Sequence, residues 1–197
     1  MKIGVLALQG AVAEHVRSLE AAGAEAVAIK WPQQLEDVQG LVIPGGESTT
    51  IGKLMRKYDF IEAIQQFSEQ GKPIFGTCAG LIVLATQIEG NQGPEQPHLA
   101  LMDMKVRRNA FGRQRESFEA DLSVKGINEP IRAVFIRAPL IDKVGSNVDV
   151  ICETNGEMVT ARQGHLLACS FHPELTDDIR LHQYFADMVR ESMQQRG

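Results

Sequence analysis

Short apolar runs and amphipathic stretches alternate through the first half of the chain. The apolar runs predict buried strands, at residues 2–8, 24–29, 40–43 and 73–75. The amphipathic stretches predict helices, at residues 11–22, 48–57, 60–70 and 79–86, with Ser48 as a helix cap. Strand–helix alternation of this kind builds an α/β fold with a doubly wound, mainly parallel sheet.

The pattern changes after this half. Residues 89–99 are rich in glycine and proline and predict an exposed loop. The Asn155-Gly156 pair lies between two strand-like stretches, which is a strong signal for a β-hairpin. A strand at residues 166–171 follows, and then a helix at residues 177–194 after a Thr176 cap. The second half therefore predicts an antiparallel extension of the sheet.

Composition narrows the possible functions. The 197 residues are 44% hydrophobic and 23% charged, as expected of one globular domain spanning residues 1–197. The net charge of -5 argues against a nucleic-acid partner. Three cysteines without metal-like spacing argue against a disulfide framework and a zinc site. The first apolar run is too short for a signal peptide, and no run is of transmembrane length, so we expect the cytoplasm.

A candidate nucleophile lies in the sequence Gly76-Thr77-Cys78-Ala79-Gly80, between a predicted strand and a predicted helix. Flanking glycines relieve crowding at a tight strand–turn–helix elbow, and the turn lifts Cys78 above the sheet at a helix N-terminus that favours a thiolate. The N–H of Ala79 would then face an oxyanion. The alternative is that Cys78 is a small buried residue in a glycine-rich turn, as we expect for Cys152 and Cys169 in their apolar strands.

His172-Pro173-Glu174 is the candidate base with its orienting group. Alternate residues of an extended chain point the same way, so Glu174 can hold one ring nitrogen of His172 while the other faces a cysteine. The alternative is an exposed polar turn after a strand. The other histidines have no such setting, and we expect surface or boundary positions for them: His15, His98, His165 and His182.

A second loop, Pro44-Gly45-Gly46-Glu47-Ser48, also follows a predicted parallel strand. Such loops gather at the carboxyl edge of the sheet, where Cys78 is expected. The N–H of Gly46 is therefore the candidate second oxyanion donor. The alternatives are a plain tight turn or a weak phosphate loop, but the Gly-Lys-Ser/Thr ending of a nucleotide-binding loop is missing, so ATP binding is not expected.

In this order, Pro-Gly-Gly, Gly-Thr-Cys-Ala-Gly and His-Pro-Glu resemble the class I (triad-type) glutamine amidotransferases, a family with a flavodoxin-like fold. More narrowly, the chain resembles the glutaminase subunits of pyridoxal 5′-phosphate synthases over nearly its whole length. The stretches that carry this resemblance are residues 4–10, 44–50, 108–114, 135–139 and 171–175.

The resemblance implies hydrolysis of L-glutamine by Cys78 as nucleophile, His172 as acid and base, and Glu174 as its orienter. It also implies glutamine contacts, from Gly46, Glu47, Ser48, Arg108, Ile136 and Arg137. No metal or organic cofactor is expected. The ammonia would pass to a separate synthase subunit that makes pyridoxal 5′-phosphate from ribose 5-phosphate and glyceraldehyde 3-phosphate.

Three other interpretations stay open at this point. The chain could serve a different biosynthetic acceptor, because the triad is common to the whole class. It could be a cysteine peptidase or deglycase-like hydrolase of the same fold, although those usually place histidine directly after the nucleophile, where this chain has Ala79. It could also be a noncatalytic flavodoxin-like binding module.

Overall fold

The computed structural model describes residues 1–90, 96–108 and 117–197. The strands are β1 (Lys2–Leu6), β2 (Glu25–Ile29), β3 (Gly40–Ile43), β4 (Ile74–Thr77), β5 (Ala85–Glu89), β6 (Met102–Arg107), β7 (Ser117–Leu122), β8 (Ile131–Ile136), β9 (Leu140–Val144), β10 (Asp149–Thr154), β11 (Glu157–Gln163) and β12 (Leu166–Cys169). The helices are α1 (Val12–Ala21), α2 (Ser48–Lys57), α3 (Phe60–Glu69), α4 (Ala79–Leu84) and α5 (Arg180–Arg196), with 3₁₀ turns at Pro32–Asp37 and Pro173–Leu175.

In the described ranges, ten strands form one sheet in the order β2-β1-β3-β4-β12-β11-β9-β6-β5, with β10 paired to β11. The first five of these strands are parallel. From β12 to β6 the pairing is antiparallel, and it becomes parallel again at β5. Strands β7 and β8 form a separate antiparallel pair. The predicted mainly parallel, doubly wound sheet with an antiparallel extension is confirmed.

Two hydrophobic clusters, one on each face of the sheet, explain why the central strands are continuously apolar. Strands β3, β4 and β12 are buried along their whole length. On one face they meet α2, α3 and α4, and on the other they meet α1 and α5, where Phe185 is fully buried. Each such side chain contributes about 2 kcal/mol of transfer free energy. No helix of the described chain is long and apolar enough to cross a membrane.

The predicted helix at residues 79–86 is wrong at its C-terminal end. Helix α4 stops at Leu84, and Ala85 begins strand β5, which pairs with β6. A short apolar run fits a buried helix and a buried strand equally well by periodicity. Parallel pairing with β6, which lies further along the chain, decides that the residues from Ala85 form a strand.

Two predicted helix caps are also wrong. Glu47, not Ser48, caps α2: its side chain accepts hydrogen bonds from the backbone N–H groups of Thr49 and Thr50. Helix α5 begins at Arg180, because the preceding chain is held in turns. The Thr176 hydroxyl accepts a hydrogen bond from the N–H of Asp178 rather than capping a helix. The predicted Asn155-Gly156 hairpin is confirmed, as β10 and β11.

Neighbouring strands β1 and β3 are followed by helices on opposite faces of the sheet, α1 and α2. This reversal opens a crevice beyond the carboxyl ends of the parallel strands, which is where open α/β sheets bind their ligands. The loops after β1, β3, β4 and β12 all end at this edge. The fold thus brings the predicted site segments to one place.

Candidate active site

Cys78 directly follows β4 and is the cap residue of α4. Its backbone has φ 51° and ψ -104°, a strained combination for a residue with a side chain. The flanking glycines permit it: a Cβ at Gly76 would lie 2.5 Å from the Gly80 oxygen, and one at Gly80 would lie 2.1 Å from the Ile43 oxygen. The structure therefore places Cys78 on a tight elbow that only these glycines allow.

His172 is held beside Cys78 by its backbone and its ring. Its N–H donates to the Val134 oxygen of β8 at 2.8 Å. Its Nδ1 lies 2.6 Å from Glu174 Oε1, and its side chain hydrogen-bonds with that of Cys78. The three side chains that the sequence separates by up to 96 positions therefore form a connected row, Cys78–His172–Glu174.

The protonation state of His172 is set by its two neighbours in this row. Burial by itself lowers the pKa of His172, but the hydrogen bonds and charges of Cys78 and Glu174 outweigh it and raise this pKa to about 10. The imidazole therefore remains protonated at neutral pH. A protonated imidazole beside a sulfur can stabilise a thiolate and later give its proton to a leaving group.

The glycine loop after β3 closes one side of the site. The Gly45 oxygen accepts a hydrogen bond from the N–H of Ala11 at 3.3 Å. A Cβ at Gly10 would lie 1.8 Å from this oxygen, so the two loops touch. Because the peptide is planar and trans, the N–H of Gly46 points in the opposite direction from the Gly45 oxygen. The arrangement leaves this N–H as a candidate oxyanion donor.

Gln9 holds the same loop, and sequence reasoning did not assign it a role. Its Oε1 accepts a hydrogen bond from the N–H of Glu47 at 2.8 Å. A Cβ at Gly46 would lie 2.2 Å from this oxygen. The sequence did contain a signal for this role of Gln9. It is a polar residue that is followed by a glycine and lies directly after a predicted buried parallel strand.

A cavity of about 500 Å³ opens above the row. Nine of the ten predicted site residues line it: Gly46, Glu47, Ser48, Cys78, Ala79, Arg108, Ile136, Arg137 and His172. The tenth, Glu174, is buried behind His172. The volume suits a small molecule. Within the described parts of the chain, no group of three or more His, Cys, Asp or Glu side chains is placed to hold a metal ion.

One wall of the cavity carries a cation, Arg108, beside an anion, Glu47. Arg108 donates from Nη2 to the Thr49 hydroxyl at 3.2 Å. Burial lowers the pKa of Arg108, and the charge of Glu47 opposes this. Burial raises the pKa of Glu47, but hydrogen bonds from Thr50 and Thr49 outweigh it and lower this pKa. Residues 109–114 of the predicted arginine stretch lie outside the described residues.

The opposite wall is the end of β8. The Ile136 oxygen lies 3.9 Å from the Cys78 sulfur. Arg137, directly after it, has a φ of 45°, a left-handed conformation that is unfavourable for a residue with a side chain. Strain of this kind is retained where the surroundings hold a turn in place, and here the turn brings backbone groups to the cavity.

The predicted surface or boundary positions of His15 and His182 are wrong. Both side chains are fully buried, and His15 Nδ1 lies 2.9 Å from His182 Nε2. Helices α1 and α5 pack on the same face of the sheet, which brings the two rings together. The pattern did contain a signal, because His182 lies three and seven residues before the buried Phe185 and Val189, on the core face of α5.

Lowering the pH is expected to unfold the protein partly through His182. Burial lowers the pKa of His182 from 6.5 to about 4. Between these values the unfolded chain binds a proton that the folded chain does not, so stability present above pH 6.5 is lost as the pH falls toward 4. We expect His182 to account for about 2 kcal/mol of the loss between pH 7 and 5.

Urea unfolding of the wild type and of His182→Leu at both pH values measures this contribution. The variant is expected to lose less free energy of unfolding than the wild type over the same interval. His98→Leu controls for the removal of one histidine outside the pair. Equal losses in the wild type and in His182→Leu would contradict the assignment.

Comparison with known proteins agrees with this geometry. The profile of the SNO glutamine amidotransferase family matches residues 5–191. A protein of Niallia circulans named pyridoxal 5′-phosphate synthase subunit PdxT is 69% identical over 192 residues, which cover 98% of this chain and all of that protein. The protein of the same name from Halalkalibacterium halodurans is 64% identical over 98% of this chain and 96% of its own length.

Solved structures show the same fold. The crystal structure of a glutamine amidotransferase that is 48% identical superposes with a TM-score of 0.91, over 95% of this chain and 98% of that one. A chain in the structure of PurLQS from Thermotoga maritima has a TM-score of 0.66, over 98% of this chain and 97% of that one, at 17% identity. The second likeness is evidence for the fold alone.

Proposed function

Because the chain belongs to the SNO glutamine amidotransferase family, we propose that it is the glutaminase subunit of a pyridoxal 5′-phosphate synthase. Residues 1–197 form one glutaminase domain, which hydrolyses L-glutamine to L-glutamate and ammonia. The observation that carries this proposal is the Cys78–His172–Glu174 row beside a cavity of about 500 Å³.

The cavity offers groups that suit the two charged groups on the α-carbon of free glutamine. Arg108 can pair with the α-carboxylate and Glu47 with the α-ammonium group, because charge-assisted hydrogen bonds are the strongest that such a ligand can make. Backbone groups of Ser48, Ile136 and Arg137 would complete the contacts. This would direct the side-chain amide toward Cys78.

In the first half-reaction the Cys78 thiolate attacks the amide carbon. The N–H groups of Ala79 and Gly46 donate hydrogen bonds to the oxyanion that forms. The carbon–nitrogen bond then breaks while the His172 imidazolium gives its proton to the leaving nitrogen. Ammonia leaves, and a glutamyl thioester remains on Cys78.

In the second half-reaction water attacks the thioester. His172, now neutral, removes a proton from the water, and Glu174 stabilises the imidazolium that is regenerated. The carbon–sulfur bond breaks, which frees glutamate and restores the Cys78 thiolate. The nucleophile, the acid and base and the oxyanion donors of these two steps all belong to the chain itself.

The ammonia requires an acceptor close by, because ammonia released into neutral water is mostly protonated and is then no nucleophile. We propose that a synthase subunit docks at the mouth of the cavity and receives it directly, both proteins being cytoplasmic. There the ammonia would be combined with ribose 5-phosphate and glyceraldehyde 3-phosphate.

A glutamine analogue with an electrophile at the amide position tests the proposal. We expect one covalent adduct, on Cys78, in intact and peptide mass spectra, and protection by L-glutamine. Cys152 and Cys169 are expected to stay unmodified, because burial raises the pKa of Cys152 to about 11 and that of Cys169 well above its usual value. An adduct that L-glutamine does not prevent would refute the proposal.

Docking of the synthase subunit is expected to raise the glutaminase rate, because it would order the glycine loop that carries the Gly46 donor. The rate of glutamate release is measured for the chain alone and with the synthase subunit of a close relative. Equal rates would contradict activation by the partner. Cleavage of a peptide in place of glutamine would favour a peptidase of the same fold.

A further inference from the structure

A buried histidine pair lies behind the triad, where the proposed reaction has no use for it. His15 Nε2 is 3.5 Å from Glu174 Oε2, and neither side chain is exposed to any extent. The same nitrogen lies 3.1 Å from the Thr77 hydroxyl. His15 Nδ1 lies 2.9 Å from His182 Nε2. The row of the active site therefore continues inward as His172–Glu174–His15–His182.

The second oxygen of Glu174 explains why a histidine is needed here. His172 engages Oε1 of Glu174, whereas Oε2 is buried and has no hydrogen-bond partner among the described residues. A buried carboxylate oxygen without a donor is costly. His15 Nε2 lies 3.5 Å from this oxygen.

The bonding of the pair selects one arrangement of protons. His15 Nε2 faces the Thr77 hydroxyl at 3.1 Å and Glu174 Oε2 at 3.5 Å. An ionised carboxylate can only accept, so a hydrogen on Nε2, directed between these two oxygens, keeps the nitrogen lone pair from facing the carboxylate. The other nitrogen of His15 then accepts from His182 Nε2–H. This leaves His182 Nδ1 as a bare acceptor, which agrees with its lack of a partner among the described residues. The opposite assignment would set two lone pairs against each other and bury an unpaired N–H at His182, which is rarer.

We propose that His15 is a positioning residue: its Nε2–H, which lies between the Thr77 hydroxyl and the second oxygen of Glu174, stabilises that oxygen and keeps Glu174 aimed at His172, while His182 fixes the tautomer of His15. The part of this proposal that concerns catalysis rests on the proposed glutaminase function. The part that concerns the charge of His172 does not.

Both inner histidines are neutral donors at neutral pH. Burial, and then the charges of His182 and His172, lower the pKa of His15 well below its usual value, and burial lowers that of His182 to about 4. Two other titratable groups of the described chain interact with this row, the thiols of Cys78 and Cys169. A surface cavity that Glu174 borders is also lined by charged residues of α1 and of the turn after Glu174: Glu14, Arg17 and Asp177.

Three substitutions at one position separate a donor from mere packing. His15→Gln can place an N–H where Nε2 was, facing Glu174. His15→Asn can place an N–H only where Nδ1 was, facing His182. His15→Leu keeps an apolar side chain of similar volume and removes the polar atom at both positions. If His15 acts as a donor to Glu174, His15→Gln will keep the effect of His15 on His172 and on glutaminase activity, and His15→Asn and His15→Leu will lose it.

The first readout is the pKa of His172, which is measured by an NMR titration of its ring. We expect it to fall from about 10 by about one unit in His15→Leu and His15→Asn, and to stay near the wild-type value in His15→Gln. This measurement needs no turnover. An unchanged His172 pKa in all three variants would overturn the proposal.

The second readout is glutaminase kinetics against pH. In His15→Leu and His15→Asn we expect kcat to fall about ten- to a hundredfold with KM unchanged, because His15 does not line the cavity, and the alkaline limb to move to lower pH. His15→Gln should recover most of kcat. Equal losses in all three variants, in step with lowered thermal stability, would show a structural role only.

A wild-type protein that releases no glutamate would instead refute the proposed function. The NMR result would still decide whether His15 governs the charge of His172. The two proposals can therefore fail separately.

Discussion

Replacing Cys78 by alanine is expected to lower glutamate release from L-glutamine by about a millionfold, the loss seen when a hydrolase loses its covalent nucleophile. Without the sulfur no thioester can form. His172 and the oxyanion donors remain, but they would have only a distant water to activate. Thermal unfolding should change little, because alanine can occupy the elbow that Gly76 and Gly80 leave open.

The matched control is Cys152→Ala, which removes another buried thiol on β10, away from the cavity. We expect this variant to keep wild-type kcat and KM, with a small loss of stability from the lost volume. Initial rates measured with a coupled glutamate assay compare the two. Activity above about one hundredth of wild type in Cys78→Ala would mean that another group attacks the amide.

Gly45→Ala is expected to lower kcat by about a hundredfold without unfolding the protein, because a misplacement of about 1 Å in an active site has an effect of this size. An added Cβ would lie 2.5 Å from Cε1 and 3.1 Å from Nδ1 of His172, and 3.3 Å from the Cys78 Cβ. The ring must move, and its hydrogen bonds with Cys78 and Glu174 will lengthen.

Gly156→Ala is the control for this change, since its Cβ would meet nothing within 4 Å. It has a φ of 79° in the β10–β11 hairpin, so we expect a cost of about 1 kcal/mol in the free energy of unfolding and an unchanged kcat. Steady-state kinetics and thermal unfolding of both variants separate activity from stability. Wild-type kcat in Gly45→Ala would mean that His172 is not confined as the structure has it.

The sequence alone identified the parts of the site that local backbone geometry dictates. A cysteine between Gly76 and Gly80 after an apolar run is typical of one kind of turn, and the structure has that turn. The Gly45-Gly46 loop follows another parallel strand, and His172 another, so their meeting at one edge followed from the rule that parallel strands share their carboxyl ends. The doubly wound sheet was predictable from the alternation of strands and helices, and the hairpin from the Asn155-Gly156 pair.

Sequence reasoning failed where two structures fit the same local pattern. The apolar run that ends at Ala85 fits either a helix or a strand at its end, and the pairing of β5 with β6 decides that the chain extends there. Glu47 and Ser48 are both able to cap α2, and the position of the preceding loop, held by Gln9, selects Glu47. In each case the deciding partner lies many residues away.

The tertiary structure alone revealed what surrounds the triad. Periodicity can place His182 on the core face of α5, but it does not show which side chain the ring meets there. Only the packing of α1 against α5 shows that His15 and His182 meet behind Glu174. Identity and spacing determine which groups can react, because backbone turns are local. The charge and orientation of those groups depend on burial and on neighbours from distant elements, which exist only once the chain has folded.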